Sequence, residues 1–448
     1  MTRDASSARF ASRSQQREGQ LPGAPRKWST PPKGLGRLKK RRLWLLLALL
    51  ILAGLLSVAL ASLWNYLGVS FPLSSPTTNL TSRPSLATPG LAASPAARTK
   101  WMFDAGEPLV VAPITVGRRV YLVAGRTPLT GRVVALDLGS GEVAWTRRLD
   151  SISDYPLTTA GDLLFVGTRG GQLLALDRHT GQERWSFEAE ASILGQPIVE
   201  GGVLYFASTR VYALDAATGK QRWKHEVGGQ VTRPIAFSEG IVAAVSSEGD
   251  LNLIDGGKGK RRLTFPLWFG PSAGPTISGD TVVVSGDGAN VQALALRGRD
   301  IPMEKAVRYW WTKLWLWDMA PKPPLPIGFL WQQRSIRGIT AHPLAADAER
   351  IFLGVKDPEQ TARIVALSRG TGEVLWQYPV ESPVAASATV TGDLMLVGTE
   401  AGRIYGLDIA SGQKVWELAV GSPVAAAPAV AGKTILVPSL DGVLYAFQ

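Results

Sequence analysis

Cysteine is absent from the 448 residues, and histidine occurs only three times. Without cysteine the chain has no disulfide framework, no thiol nucleophile and no attachment point for a lipoprotein's lipid. His179, His225 and His342 fall in a turn, in a strand and in a loop before Pro343. Their spacing matches no metal-binding motif, so each reads as a solvent-facing or locally hydrogen-bonded side chain. No catalytic, cofactor-binding or metal-binding constellation can be assembled from the residues present. Acidic residues are scarce at the start of the chain: residues 1–42 hold twelve Lys or Arg against Asp4 and Glu18, so +10 of the formal net charge of +12 sits there. The remainder is nearly neutral, which argues against a nucleic-acid partner for the folded part.

Long apolar runs are also lacking, with one exception. Leu43–Leu63 is interrupted only by Ser57 and Ser62, is preceded by Arg37, Lys39, Lys40, Arg41 and Arg42, and is followed by Trp64 and Tyr66. Its length, its basic flank and its aromatic border predict a single transmembrane helix over 43–66, with the N-terminus inside and the rest of the chain on the extracytoplasmic side. A cleaved signal peptide ending near Ala59-Leu60-Ala61, a twin-arginine signal at Arg41-Arg42 and a buried helix are the competing readings. The charged region is longer than signal peptides carry, which favours the anchor. Residues 1–42 have too few large apolar side chains to pack and are expected to be a disordered cytoplasmic tail. Residues 67–98, rich in Ser, Thr, Pro and Ala, read as an extended linker.

What is abundant beyond residue 98 is one recurring phrase. IYGLDIASGQKVW (Ile404–Trp416) returns as VVALDLGSGEVAW (Val133–Trp145), LLALDRHTGQERW (Leu173–Trp185), VYALDAATGKQRW (Val211–Trp223) and IVALSRGTGEVLW (Ile364–Trp376). Each copy reads as a strand, an Asp that caps a turn through its carboxylate, a Gly at positive φ, and a second strand carrying Trp. Asp137, Asp177, Asp215 and Asp408 hold the capping place, and Ser368 replaces it in one copy. A period near 40 with about four short strands per unit is the signature of propeller blades, none of which can bury its faces alone.

Closure fixes the blade count. The chain ends 32 residues past Trp416, before a further Trp strand, whereas Lys100–Gly106 (KWMFDAG) resembles such a strand and stands ahead of the first blade. This N-terminal strand is expected to complete the last blade. Trp101, Trp145, Trp185, Trp223, Leu263, Trp331, Trp376 and Trp416 then mark eight blades, with Leu263 where one Trp is missing. The fold class expected is all-β: an eight-bladed β-propeller over 99–448 closed by its N-terminal strand, preceded by the helix and the tail. A Trp buries roughly 150–250 Å², at most ~4–6 kcal/mol before entropy, so the seven Trp read as blade-docking core residues.

Phrases of the form A-x-D-x-x-T-G-x-x-x-W resemble the PQQ-type β-propeller repeat, shared by quinoprotein alcohol dehydrogenases and by the BamB-like propellers of bacterial envelope assembly. The resemblance covers about residues 99–448. For the dehydrogenases it implies a bound quinone, a calcium ion, a catalytic Asp and a vicinal cysteine pair. The cysteines are missing here, and the Asp residues that can be placed belong to repeat turns. No cofactor is therefore expected, and the BamB-like group is the nearer comparison, with a membrane helix where that group carries a lipidated cysteine.

Two stretches break the repeat. Lys258, Lys260, Arg261 and Arg262 cluster at the turn of the fourth blade, as a solvated face or as a contact for an acidic partner or lipid head group. In the fifth blade, residues 297–327 replace the D-x-x-T-G turn. Asp300 and Pro302 read as helix-start residues, and Met303–Ala320 has helical period. Met303, Ala306, Val307, Trp310, Trp311, Leu314 and Trp317 are expected on one face, with Trp315 at its border and Lys305, Arg308 and Thr312 opposite. Prolines 321, 323, 324 and 326 then stop the helix. Trp310, Trp311, Leu314, Trp315 and Trp317 are the candidate contact residues. The propeller's own surface, a membrane interface and a partner groove all fit such a face.

The function these features support is a membrane-anchored, non-enzymatic scaffold on the outer side of the cytoplasmic membrane, binding envelope proteins at its rims. A small-ligand or carbohydrate sensor using the central channel is the alternative, with a PQQ-dependent dehydrogenase behind it.

Overall fold

The computed structural model describes residues 98–448 apart from 126–129, 152–154, 232, 339, 358–361, 385–386 and 425. The anticipated tail, transmembrane helix and linker lie outside this set, except for the linker's closing Arg98. Among the described residues no helix is long and apolar enough to cross a membrane.

Eight four-stranded antiparallel sheets follow one another along the chain. Seven use four consecutive strands each, spanning Ile114–Leu149, Thr158–Glu188, Leu194–His225, Ala236–Pro266, Thr276–Gln333, Thr340–Val380 and Thr389–Ala419 as blades one to seven. The eighth takes its first three strands, Ala429–Ala431, Thr434–Pro438 and Val443–Phe447, from the C-terminus and its outer strand, Thr99–Asp104, from the N-terminal end. Met102 pairs with Tyr445 and Asp104 with Val443, so the first and last strands of the propeller are laced together as a pair. First strands touch between blades two and three, between successive blades from four to eight, and between blades eight and one, where the ring closes on itself.

Alternation along the strands explains the layers. In the third strands almost every side chain is buried, as in Val133, Val134, Ala135 and Leu136, because both faces lie against neighbouring blades. Outer strands alternate exposed and half-buried positions, since only one face meets the next blade. Each apolar cluster joins two blades. Tyr121, Val123 and Val133 of the first, for example, pack with Leu164, Val166 and Leu176 of the second. The core is thus a ring of inter-blade layers, and no blade holds its own.

The repeated turn has one geometry. The N–H of Gly181 bonds the Asp177 carbonyl at 2.8 Å, with Gly181 at φ 72°, and the same bond recurs from Gly141, Gly219, Gly259, Gly372 and Gly412. A register shift follows the residue opposite each docking position, as after Ala135, which faces Trp145. The extra residue twists the outer strand and carries its Trp toward the next blade.

That Trp lands on the next blade's turn. The Trp145 ring lies so close to Gly181 that a Cβ there would stand 2.6 Å from it, and its indole N–H donates to the Arg178 carbonyl at 3.0 Å. Trp101, Trp185, Trp223, Trp331 and Trp376 repeat the arrangement on Gly141, Gly219, Gly259, Gly372 and Gly412. Glycine is needed twice over, for its positive φ and for the ring that occupies the place of a side chain.

Two docking positions depart from this pattern, and each departure follows from what the neighbour offers. Blade five has no such turn, and Leu263 of blade four, 3% exposed, instead packs beside Gly298 and Gly328 at the root of the insertion. Blade eight has no turn between its third and outer strands, because the chain ends meet there. Trp416 of blade seven accordingly folds back over its own pairing partner Gly406, where a Cβ would lie 2.4 Å from the ring. At the matching place the other blades that carry a docking Trp have Ala135, Ala175, Ala213, Ala293, Ala366 and Ala446. The Trp416 ring is 4% exposed, and its N–H has no partner among the described residues.

Candidate functional site

The rim that carries these turns is where the regular pattern leaves chemistry to spare. The turn carboxylates themselves are committed. Asp177 accepts from Arg184 at 2.6 Å, from the N–H groups of Thr180 and His179 at 2.9 Å each, and from the Thr180 hydroxyl at 3.1 Å. The Arg184 guanidinium first, with those turn donors, holds its carboxyl far below the usual range despite partial burial. Arg222 and Thr218 lower Asp215, the backbone of Gly139 and Ser140 lowers Asp137, and the hydroxyl and N–H of Ser411 lower Asp408. In the Ser368 turn a hydroxyl at 3.4 Å from the Thr371 nitrogen takes the carboxylate's place.

Two aromatic partners of the docking Trp escaped the reading of the sequence. Tyr121 and Trp145 donate to the same Arg178 carbonyl, at 3.0 Å each, and Tyr205 and Trp223 converge on the Gly256 carbonyl at 3.2 and 2.8 Å. Burial pushes both phenols up. The signal was present as an aromatic near the middle of the second strand, in Tyr121, Phe165, Tyr205 and Phe352, each within 6.0 Å of its blade's Trp by ring centroids. Of the histidines, His225 meets the Gly259 carbonyl at 2.7 Å and His179 meets Asp162 at 3.3 Å.

The insertion springs from this rim. Arg297 reaches Glu239 of blade four at 2.8 Å, and the Asp300 N–H bonds the Arg262 carbonyl at 2.7 Å while its carboxylate faces Arg261 at 3.4 Å. Asp300 therefore pins the insertion to the outer strand of blade four and is no part of a helix start, in contrast to the sequence expectation. Helix α1 runs Glu304–Leu316 and follows Met303, which sits at φ 67° and supplies no side-chain cap. Part of the basic cluster is drawn into this root, whereas Lys258 and Lys260 stay exposed.

The helix faces also differ from expectation. Val307, Trp311 and Leu314 lie half-buried on the same side as Arg308 and Thr312, while Met303, Ala306, Trp310 and Trp317 turn outward with Lys305. The cause is the proline-rich return. Proline has no N–H, so a Pro-rich segment cannot join a ladder, and its carbonyls must find donors elsewhere. Arg308 donates to the Pro324 carbonyl and the Trp311 indole to the Pro321 carbonyl at 2.9 Å, while the Ile327 N–H donates to Glu304 at 2.9 Å. These bonds fix the rotation of the helix. Its inward side carries Val307, Trp311 and Leu314 beside Arg308 and Thr312 and is bonded to its own return segment, and no helix residue is buried.

The outward side is aromatic. Trp310 and Trp317 are 64% and 63% exposed, Trp315 39%, and Leu316 63%. Eight of the fifteen large apolar or aromatic side chains exposed among the described residues fall between Met303 and Leu325, so this is a patch and not scatter. Trp311 and Leu314 do not belong to it.

Among the described residues no group of three His, Cys, Asp or Glu could hold a metal, and the repeat carboxylates Asp177, Asp215 and Asp408 are engaged by their own turns and strands. The described residues do not fit the calcium site of the quinoprotein dehydrogenases.

Eight four-stranded blades, six of them docked Trp onto turn, define the class, a propeller of PQQ-type repeats. The family model described as outer membrane protein assembly factor BamB matches residues 129–209, 207–327 and 316–448, and the chain belongs to that family. It is 34% identical over 74 residues to outer membrane protein assembly factor BamB of Shewanella oneidensis, 16% of this chain and 17% of that one. It is likewise 34% identical over 85 residues to quinoprotein ethanol dehydrogenase of Pseudomonas aeruginosa, 18% and 14% of the two chains. The chain thus spans under a fifth of the length of these curated relatives. Among solved structures, the computationally designed Ika8 protein superposes with a TM-score of 0.59 at 16% identity, over 77% of this chain and 97% of that one. Quinohemoprotein alcohol dehydrogenase from Comamonas testosteroni gives 0.59 at 14% identity, over 79% and 76%. At such identities the likeness speaks for fold alone.

Proposed function

We propose that this propeller is a non-enzymatic interaction scaffold of the bacterial cell envelope, held to the cytoplasmic membrane by residues 43–66 and displayed on the extracytoplasmic side. In this reading residues 1–42 are the cytoplasmic tail, 67–98 the linker, and the rims bind other envelope proteins. The observation that carries it is the BamB family match over most of the propeller, on a chain whose repeat carboxylates are tied up in turns. A rigid ring bearing variable loops suits binding, and the chemistry of a fold's relatives lies in sites that need not travel with the fold.

The test has two arms. The purified full chain in detergent is titrated calorimetrically with PQQ and calcium and assayed for dye-linked alcohol oxidation; no heat and no turnover are expected. Photo-crosslinking from rim positions in the native envelope should trap discrete protein partners. Tight quinone binding with turnover would overturn the scaffold reading.

A further inference from the structure

The outward face of α1 departs from the rule for a helix on a soluble surface, where the apolar stripe faces the protein and the charges face water. Here Glu304 and Arg308 turn inward to the proline return, while Tyr309, Trp310, Leu316, Trp317, Met319 and Leu325 stand in solvent. Tyrosine and tryptophan combine an apolar body with a polar tip, the side-chain type that sits at the level of lipid head groups. Lys313 lies over the Tyr309 ring at 5.4 Å, and Lys305 and Lys322 are exposed beside the patch.

Charge singles out the same place. Residues 255–262 and 297–327 together carry ten Lys or Arg against four Asp or Glu, whereas the whole chain beyond residue 42 has a net charge of only +2. Everything else beyond residue 42 is therefore net acidic, and the basic charge of the folded part is concentrated around the aromatic patch. A basic surface with exposed indoles matches an anionic bilayer in both electrostatics and depth. The chain outside the structure adds a reason for proximity. An apolar run of 21 residues, Leu43–Leu63, precedes a linker that joins the propeller at Arg98. A flexible linker of that size spans roughly 30 Å, so a tethered patch meets the surface at high effective concentration.

The geometry points to the insertion 297–327 as a second membrane contact, with α1 lying in the interface of an anionic phospholipid bilayer and its Trp310–Trp317 face among the head groups. The proximity part of the argument rests on the anchor proposed above; the face and its charge do not. The absence of native cysteine allows a clean test. Trp310→Cys and Trp317→Cys, and Leu375→Cys on the outer strand of blade six as reference, are each made in the full chain and labelled with an environment-sensitive fluorophore. The labelled chains are reconstituted in phosphatidylglycerol/phosphatidylethanolamine liposomes. Emission from positions 310 and 317 should shift to the blue and be quenched several-fold by lipid-borne nitroxide, with position 375 unchanged, and both effects should weaken when phosphatidylcholine replaces phosphatidylglycerol. Water-like emission at 310 and 317 in liposomes that hold the chain overturns the inference. So does emission that is water-like in liposomes yet shielded in native membranes, which assigns the face to a protein partner. If alkaline extraction strips the chain from liposomes while the two probes still report lipid on added vesicles, the anchor fails and the interfacial contact stands.

Discussion

The junction between blades three and four and the junction between blades four and five use the same strand geometry and fill it differently. At the first, Trp223 lies on Gly259 and donates to the Gly256 carbonyl at 2.8 Å. At the second, Leu263 occupies the docking position and packs beside Gly298 and Gly328 within the apolar layer of blades four and five, because the tight turn has been opened to admit 297–327. The docking residue of one blade and the turn of the next are thus a single unit divided between two repeats. At these two junctions a Trp is kept where a glycine turn receives it and is absent where none does.

The most severe way to break this comparison is to remove a junction entirely. Deleting Thr99–Gly106 takes away the outer strand of blade eight and, with it, the docking of Trp101 on Gly141. Loss of the Trp alone is worth about 3–5 kcal/mol, and the opened ring adds an unpaired strand edge. The expected result is a loss of cooperative thermal unfolding by circular dichroism. A melting curve like that of the intact chain would show that closure does not hold the ring.

A sharper contrast comes from adding one methyl group on each side. In Gly259→Ala the new Cβ meets the Trp223 ring at 2.6 Å on a backbone at φ 64°. The left-handed backbone costs about 1–2 kcal/mol, and overpacking adds about 1–3 kcal/mol. Gly298 lies outside the left-handed region, and a Cβ there meets the tip of Leu263 at 2.9 Å and the Ala295 carbonyl oxygen at 3.1 Å. Gly298→Ala should stay within about 1 kcal/mol of the parent, since the reduced freedom of the unfolded chain offsets a small shift. Denaturant midpoints of the two variants should differ clearly; equal midpoints would mean that the glycine turn is not what distinguishes the junctions.

Much of this architecture was legible in the sequence because it is periodic. The spacing of Trp145, Trp185 and Trp223 gave the blades, and the fragment around Trp101 gave the closure, since a strand without a blade and a blade without a strand must meet. The setting of α1 was not legible. Helical period assigns faces by angle, but the partner here is the proline return, whose orphan carbonyls choose Arg308 and Trp311 as donors. Such a choice depends on which acceptors lack partners nearby, which the period of the helix does not encode. The meaning of the missing Trp at Leu263 was hidden for a similar reason: its cause lies in the next repeat.

The smallest expected effect tests the third kind of junction, where blade seven meets blade eight. Trp416 cannot reach a turn, because the place of that turn is taken by the chain ends, and the Gln448 nitrogen lies 3.4 Å from the Arg98 carbonyl there. The ring turns back over Gly406, the one docking blade in which Gly replaces the Ala opposite the Trp. If this account is right, the two residue types are not interchangeable between blades. Gly406→Ala, mild by the backbone alone, puts a Cβ 2.4 Å from the indole and should cost about 1–3 kcal/mol by overpacking. Ala366→Gly, the reverse change opposite Trp376, leaves that Trp on its turn and should cost only the roughly 0.5–1 kcal/mol of added chain freedom. Trp fluorescence separates the cases further: Gly406→Ala should move the buried Trp416 indole toward solvent, whereas Ala366→Gly should leave the emission as it was. A Gly406→Ala variant as stable as the parent would mean that the ring has another place to go, and that chain closure does not dictate the residue opposite it.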